Sequence, residues 1–174
     1  MNNMVKILKN KVFYIILTLI ILDQLTKVAA LTFVSGGYKE ILPGILQLEM
    51  AQNTGAAFGI AQNSNLGMIF TTLIVLIVVA KFYIFQNKNL DKKMRVALPL
   101  ILAGGISNLI DRVCRGYVVD FVHIEHLPIF NLADIYVVIG WVLFALSMAI
   151  YTGKELGNIR NGRNKEENCD ERRK

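Results

Sequence analysis

The sequence predicts an all-α membrane protein: a four-transmembrane-helix bundle with a small extracytoplasmic β-sheet or cradle and a short extracytoplasmic helical segment. Three observations carry this. First, 54% of the 174 residues are hydrophobic and only 18% are charged, whereas soluble domains hold about 45–50% apolar and about 25% charged residues. Second, mean hydropathy is +0.46, and it is concentrated in runs long enough to cross a bilayer, about 20 apolar residues each. Third, the charges are segregated: long stretches hold almost none, and others are dense with Lys and Arg. This pattern excludes a disordered chain, a disulfide scaffold and a collagen-like fibre, and argues against a soluble globular fold.

The spans read as about 12–34, 66–85, 96–113 and 133–151. The first is interrupted by Asp23, Gln24 and Lys27. The second is broken only by Lys81. The third holds Pro99, Gly104–Gly105, Asn108, Asp111 and Arg112, and the fourth is apolar after Asp134. The first run resembles a signal peptide in having Lys6, Lys9 and Lys11 ahead of an apolar core, but it continues well past Asp23 with no clean small-x-small site, so it reads as retained. Residues 1–152 thus form one integral membrane domain. Residues 153–174 form a polar tail, expected to be mobile and cytoplasmic.

Basic residues orient the bundle. They cluster at the N-terminus, in the 86–95 connection (Lys88, Lys92, Lys93, Arg95) and in the tail. The 35–65 connection has only Lys39 and the 113–132 connection only Arg115. With an even number of spans, all basic regions share one side, so both termini are expected in the cytoplasm. The net charge of +6 then reflects topology and anionic-lipid attraction. The tail has no stacking aromatics or binding motif, and no nucleic-acid partner is expected.

Cys114 and Cys169 fall on opposite sides, which excludes an intramolecular disulfide. His123 and His126 lack an evident third ligand, and neither a metal nor a cofactor is expected. In the 35–65 connection, Glu40–Met50 carries a Pro43–Gly44 turn signal and a short alternation, which reads as a hairpin or small sheet on the membrane. The Gly-rich piece from Asn53 to Gly59 follows.

Ionisable groups inside spans are costly and usually mark function. Asp23 and Lys27 share a face of the first helix at i, i+4. Asn108 and Asp111 share a face of the third, with Arg112 adjacent. Asn131 and Asp134 open the fourth helix, and Asp120 lies in the last outer connection. All fall in the outer half of the membrane or just above it. Structural readings exist for most: a buried Asp23–Lys27 ion pair between helices, an interfacial Asp111–Arg112 pair, and a capping box at Asn131-Leu-Ala-Asp134. Asp120, in VVDF with no neighbouring cation, invites a functional reading and a raised pKa. Two carboxyls brought close in low dielectric hold one proton between them, giving an acid and a base from one pair. Asp120 and Asp134 are the candidate pair for metal-free peptide hydrolysis.

Together, Asp23-Gln-Leu-Thr-Lys27, Asn53-Thr-Gly-Ala-Ala-Phe58, Gly104-Gly-Ile-Ser-Asn-Leu-Ile-Asp-Arg112, Val118-Val-Asp-Phe121 and Phe130-Asn-Leu-Ala-Asp134 resemble the bacterial lipoprotein signal peptidase (type II signal peptidase) family over residues 12 to 151. The resemblance implies an intramembrane aspartic endopeptidase of the bacterial cytoplasmic membrane. Its substrate would be a diacylglyceryl-modified prolipoprotein, cut just before the lipid-bearing lipobox cysteine, by an enzyme active as a monomer. By motif match, Asp120 and Asp134 are catalytic; Asn53, Asn108, Arg112 and Asn131 bind substrate and orient the dyad; Asp23, Lys27, Asp111 and Gly105 support the site. It further implies a helical piece within Arg115–Leu127. Two rival classes stand beside the peptidase. A proton-coupled transporter would relay protons through Asp23, Asp111 and Asp134 and requires polar groups at every depth. A non-catalytic assembly factor would use the carboxylates structurally.

Overall fold

A computed structural model describes residues 3–34, 38–55, 64–86 and 90–171. The elements run α1 (Asn3–Phe33), β1 (Tyr38–Leu42), β2 (Leu46–Asn53), α2 (Asn65–Gln86), α3 (Lys92–Cys114), β3 (Val118–Ile124) and α4 (Leu132–Glu171). The four helices are each long and apolar enough to cross a membrane. The strands gather at one end of the bundle, where α1 and α3 finish and α2 and α4 begin.

α3 is the axis. Of its apolar stretch 61% is buried, against 11% for α1 and α2 and 22% for α4. The other three turn residues such as Phe13, Ile74 and Val138 outward, as helices facing lipid do. Lipid gives no hydrophobic drive for helices to associate, so close backbone packing by small residues matters more. A Cβ on Gly104 would run into the Ala133 carbonyl oxygen, and one on Gly140 would lie 2.9 Å from the Ala97 carbonyl oxygen. These two glycines let α3 and α4 touch.

The end away from the sheet is sealed by apolar packing and one cap. Leu76, Val79, Leu90, Met94, Leu98, Ile101 and Leu102 form a buried cluster. Asp91 caps α3, accepting from the Met94 N–H at 2.8 Å, and also accepts from Ser147 Oγ of α4 at 2.7 Å. α2 reaches α4 here through Phe82 and Phe144, edge to face with centroids 5.8 Å apart. Among the described residues, the backbones of α2 and α4 nowhere come within 8 Å of each other. The two helices are therefore joined at the far end by side chains.

The hairpin read from Pro43–Gly44 is present, with Gly44 in the left-handed region (φ +69°). The helical piece expected over 115–127 is instead β3, antiparallel to β2 in a three-stranded sheet of order β1-β2-β3. Val118, Val119 and Val122 favour the extended backbone, and a partner strand was waiting in β2. The register passes from Leu48↔Val122 to Ala51↔Asp120, so β2 carries one extra residue, a bulge. A one-residue slip turns the opposite side chains to a given face. Beyond the bulge, Asn53 rather than Gln52 shares a face with Asp120. The last helix runs on past the expected span to Glu171, and α1 begins at Asn3, while the part of it long and apolar enough to cross a membrane is Lys11–Phe33. The expected tail and the Gly-rich piece were read on residues that include 172–174 and 56–63, which lie outside the described residues.

Replacing Gly104 by Ala should wedge α3 from α4 and cost about 1–3 kcal/mol. Gly153 faces open space, and Gly153→Ala should leave stability unchanged or slightly improved. Thermal unfolding of both variants in detergent checks this.

Candidate active site

Asp120 and Asp134 are brought into one hydrogen-bonded cluster from different elements. β3 presents Asp120, only 2% exposed. Phe130 makes a bridge to Val122: its N–H donates to the Val122 carbonyl at 3.0 Å and its carbonyl accepts from the Val122 N–H at 2.8 Å. That bridge lays the start of α4 against β3. The capping box then forms as the spacing predicts. Asn131 Oδ1 accepts from the Asp134 N–H at 3.0 Å, and Asp134 Oδ2 accepts from the Asn131 N–H at 3.1 Å.

The cap has a second effect. With its oxygen committed to the helix, Asn131 must turn its amide nitrogen inward, where Nδ2 donates to Asp120 Oδ1 at 2.6 Å and to Asn108 Oδ1 at 3.2 Å. Asn108 Nδ2 in turn donates to Asp134 Oδ1 at 2.8 Å. Asn53 uses the same device: its Oδ1 accepts from the Gly55 N–H at 3.0 Å, an Asx-type turn, and Nδ2 donates to Asp120 Oδ2 at 2.9 Å. The two carboxyl groups are thus linked through Asn131 and Asn108.

Below this cluster sits a buried ion triad. Lys27 Nζ lies 2.8 Å from Asp23 Oδ2 and 2.8 Å from Asp111 Oδ2, and donates to Asn108 Oδ1 at 2.9 Å. Lys27, Asp23 and Asp111 are wholly buried. The Asp23–Lys27 reading therefore holds, with Asp111 as an added partner. The expected Asp111–Arg112 pair does not form. Asp111 faces Lys27 and Arg115, while the next residue, about 100° round the helix, points elsewhere. Arg112 Nη2 donates to the Gly55 carbonyl at 3.3 Å, and its buried Nε meets no acceptor among the described residues.

Asn108, Arg112 and Asp134 open into a groove of about 210 Å³ between α2, α3 and α4, with Leu76, Gly105 and Trp141 among its walls. A Cβ on Gly105 would come 2.8 Å from Leu76 Cδ2, so this glycine keeps the groove wide. Among the described residues, no group of three or more His, Cys, Asp or Glu is arranged to hold a metal ion. His123 is engaged with Glu49, Nδ1 to Oε2 at 2.9 Å.

Two residues escaped the sequence reading. Gln24 Nε2 donates to Ser107 Oγ and Asp111 Oδ1, both at 3.0 Å, and Ser107 Oγ donates to Asp23 Oδ2 at 2.7 Å. Their signal was simply a polar side chain inside a motif on an apolar span.

Fold and cluster together define a multi-pass membrane protein with a carboxyl-bearing site at one end of its bundle. The model of the signal peptidase (SPase) II family matches residues 15–150, and the chain belongs to this family of proteases. It is 37% identical to a lipoprotein signal peptidase of Caldicellulosiruptor bescii over 82% of this chain and 93% of that one. It is 36% identical to a lipoprotein signal peptidase of Streptococcus pyogenes serotype M3, over 87% of this chain and all (100%) of the other. Among solved structures, a bacterial membrane enzyme determined by the in meso method matches with TM-score 0.73 and 31% identity, covering 83% of this chain and 91% of that one.

Burial lifts Asp120 from the ordinary 3.8 to about 6, and the Asp134 charge adds to this, against the donors Asn53 and Asn131 and the charge of Lys27. A carboxyl whose pKa rises on folding binds a proton in the folded state that the unfolded chain has released. Stability therefore falls as pH rises across about 4 to 6 and stays lower above that window. Asp120→Asn cannot ionise. Relative to their difference below pH 4, it should gain on the parent above pH 7 by up to about 3 kcal/mol. Melting temperatures across pH read this out.

Proposed function

We propose that the chain is an intramembrane aspartic endopeptidase. It removes the signal peptide from diacylglyceryl-modified prolipoproteins by cutting just before the lipid-bearing cysteine. The observation that carries this reading is the linkage of Asp120 and Asp134 through Asn131 and Asn108, beside a groove between α2, α3 and α4 that Asn108, Arg112 and Asp134 line. A substrate held in the bilayer by acyl chains arrives laterally, and a groove between spanning helices is placed to receive it.

Asp120 and Asp134 are the catalytic pair. The ionised member takes a proton from water, whose oxygen adds to the scissile carbonyl carbon, while the protonated member gives its proton to the carbonyl oxygen. Collapse of the resulting gem-diol breaks the C–N bond as a proton passes to the leaving amine. The charge census favours a shared proton: the cluster holds four carboxyls (Asp23, Asp111, Asp120, Asp134) against three cations (Lys27, Arg112, Arg115). Asn53, Asn108 and Asn131 orient the pair with neutral donors. Arg112, with unused donor capacity beside the groove, binds the substrate backbone, and Gly105 gives the peptide room. Asp23, Lys27 and Asp111 support the site.

In this reading the protein works as a monomer in the bacterial cytoplasmic membrane, termini inside, with the site at the outer leaflet. A transporter would need ionisable groups along the whole depth. Among the described residues, the buried charged side chains Asp23, Lys27, Asp111, Arg112 and Asp120 all lie in the sheet-end half of the molecule.

The test is cleavage of a diacylglyceryl-prolipoprotein by purified protein in detergent. Asp120→Asn and Asp134→Asn should each lower kcat by about 10²–10⁴-fold while remaining folded by melting temperature. Normal cleavage by either variant overturns the dyad assignment.

A further inference from the structure

Beneath the carboxyl pair, the buried ammonium of Lys27 has a partner for each of its protons. An ammonium has three donors, and here they meet Asp23 Oδ2, Asp111 Oδ2 and Asn108 Oδ1 at 2.8, 2.8 and 2.9 Å. A buried ion cluster adds little net stability over apolar side chains of the same volume. What it supplies is direction, and here the direction is specific.

Each carboxylate of the triad also reaches a backbone donor. Asp23 Oδ1 accepts from the Ala133 N–H at 2.8 Å, and Asp111 Oδ2 accepts from the Val119 N–H at 3.3 Å. Ala133 is the residue before Asp134, and Val119 is the residue before Asp120. Both are completely buried. One lysine thus joins two carboxylates, and each carboxylate grips the backbone one position ahead of a dyad member. The third lysine proton fixes Asn108, which donates to Asp134 itself.

Ser107 and Gln24 close the device. Ser107 Oγ donates to the Asp23 oxygen that faces Lys27. Gln24 Nε2 spans Ser107 Oγ and Asp111 Oδ1, and Gln24 Oε1 accepts from Arg115 Nη1 at 3.3 Å. The two jaws, Asp23 on α1 and Asp111 on α3, are therefore braced against each other without reference to the sheet.

We infer that the Asp23–Lys27–Asp111 triad, braced by Ser107 and Gln24, is a calliper that sets the spacing of Asp120 and Asp134, which makes Ser107 and Gln24 positioning residues for hydrolysis. The inference rests on the dyad reading given above. Displacing a reacting group by about 1 Å can cost about a hundredfold in rate, so loosening the brace acts on turnover more than on substrate capture.

The experiment uses the full-length protein in detergent with a diacylglyceryl-prolipoprotein substrate, and the variants Ser107→Ala, Ser107→Thr, Gln24→Met and Asp134→Asn. Ser107→Ala removes one oxygen and favours the helix. Ser107→Ala and Gln24→Met should each lower kcat between about tenfold and a hundredfold, with KM within about twofold. Ser107→Thr, which keeps the hydroxyl, should recover most of the loss. The pH profile of kcat should change shape as well, because the coupling of two carboxyls depends on their separation. The groups facing the dyad and its brace are Lys27 and Asp23 on α1, Asp111, Arg112 and Arg115 on α3, and Tyr136 on α4, which feels the Asp23 charge. None of these is itself substituted in the Ser107 and Gln24 variants, which release different partners (Asp23 for Ser107, Asp111 and Arg115 for Gln24), so a profile changed alike in both reports the pair. If kcat and its pH profile stay parental in both variants, or fall only in proportion to the folded fraction, the calliper is overturned while an inactive Asp134→Asn upholds the dyad. If Asp134→Asn cleaves normally, the dyad reading fails and the calliper with it.

Discussion

Everything near the site hangs on placing one ammonium group in a dry interior. An isolated buried charge costs several kcal/mol, and only close, well-directed partners offset it. Lys27 finds them on its own helix, at Asp23, and on α3, at Asp111 and Asn108. Since Asp23 also holds a backbone N–H of α4, satisfying a single side chain fixes three helices at one level. The glycine contacts between α3 and α4 bring the helices together, and the lysine cluster decides where along their length they register.

The three asparagines follow a common logic. Each has its oxygen held by a fixed donor: Gly55 for Asn53, Lys27 for Asn108, the helix N-terminus for Asn131. Each is left with its amide nitrogen facing a carboxyl of the pair. A neutral amide orients a carboxyl without adding the charge that would force both members to ionise. Burial can then keep Asp120 well above the ordinary carboxylate range while its geometry stays defined.

How far this was legible in the sequence depended on distance along the chain. Local patterns were readable: the apolar runs, the i, i+4 pair of Asp23 and Lys27, the capping box of Asn131 and Asp134, the Pro43–Gly44 turn. Asp120 stands out as a carboxylate in an apolar setting, and Asp134 by its place in the capping box. The helical piece within Arg115–Leu127 came from the family resemblance, and β3 stands there instead; its strand partner lies far away in sequence, and no local pattern encodes that pairing. The bulge that brings Asn53 beside Asp120 is invisible for the same reason. Asp111 and Arg112 are adjacent in sequence and were read as a pair, yet the helix sends them to different partners. Gln24 and Ser107 carry no charge, and their hydrogen bonds to Asp23 and Asp111 come only from what the fold places around them.

The position of the groove between α2, α3 and α4 has a consequence for anything meant to occupy it. The groove lies between helices long enough and apolar enough to cross a membrane, and in the proposed reading a ligand reaches it from the hydrocarbon phase. Its local concentration is then set by partitioning, which gains about 0.8 kcal/mol per methylene, roughly fourfold in occupancy. Two compounds making identical contacts in the groove would differ widely in potency when dosed by aqueous concentration. They would become equal when dosed per mole of lipid. Affinity for this site is therefore a property of the compound, the protein and the amount of membrane together.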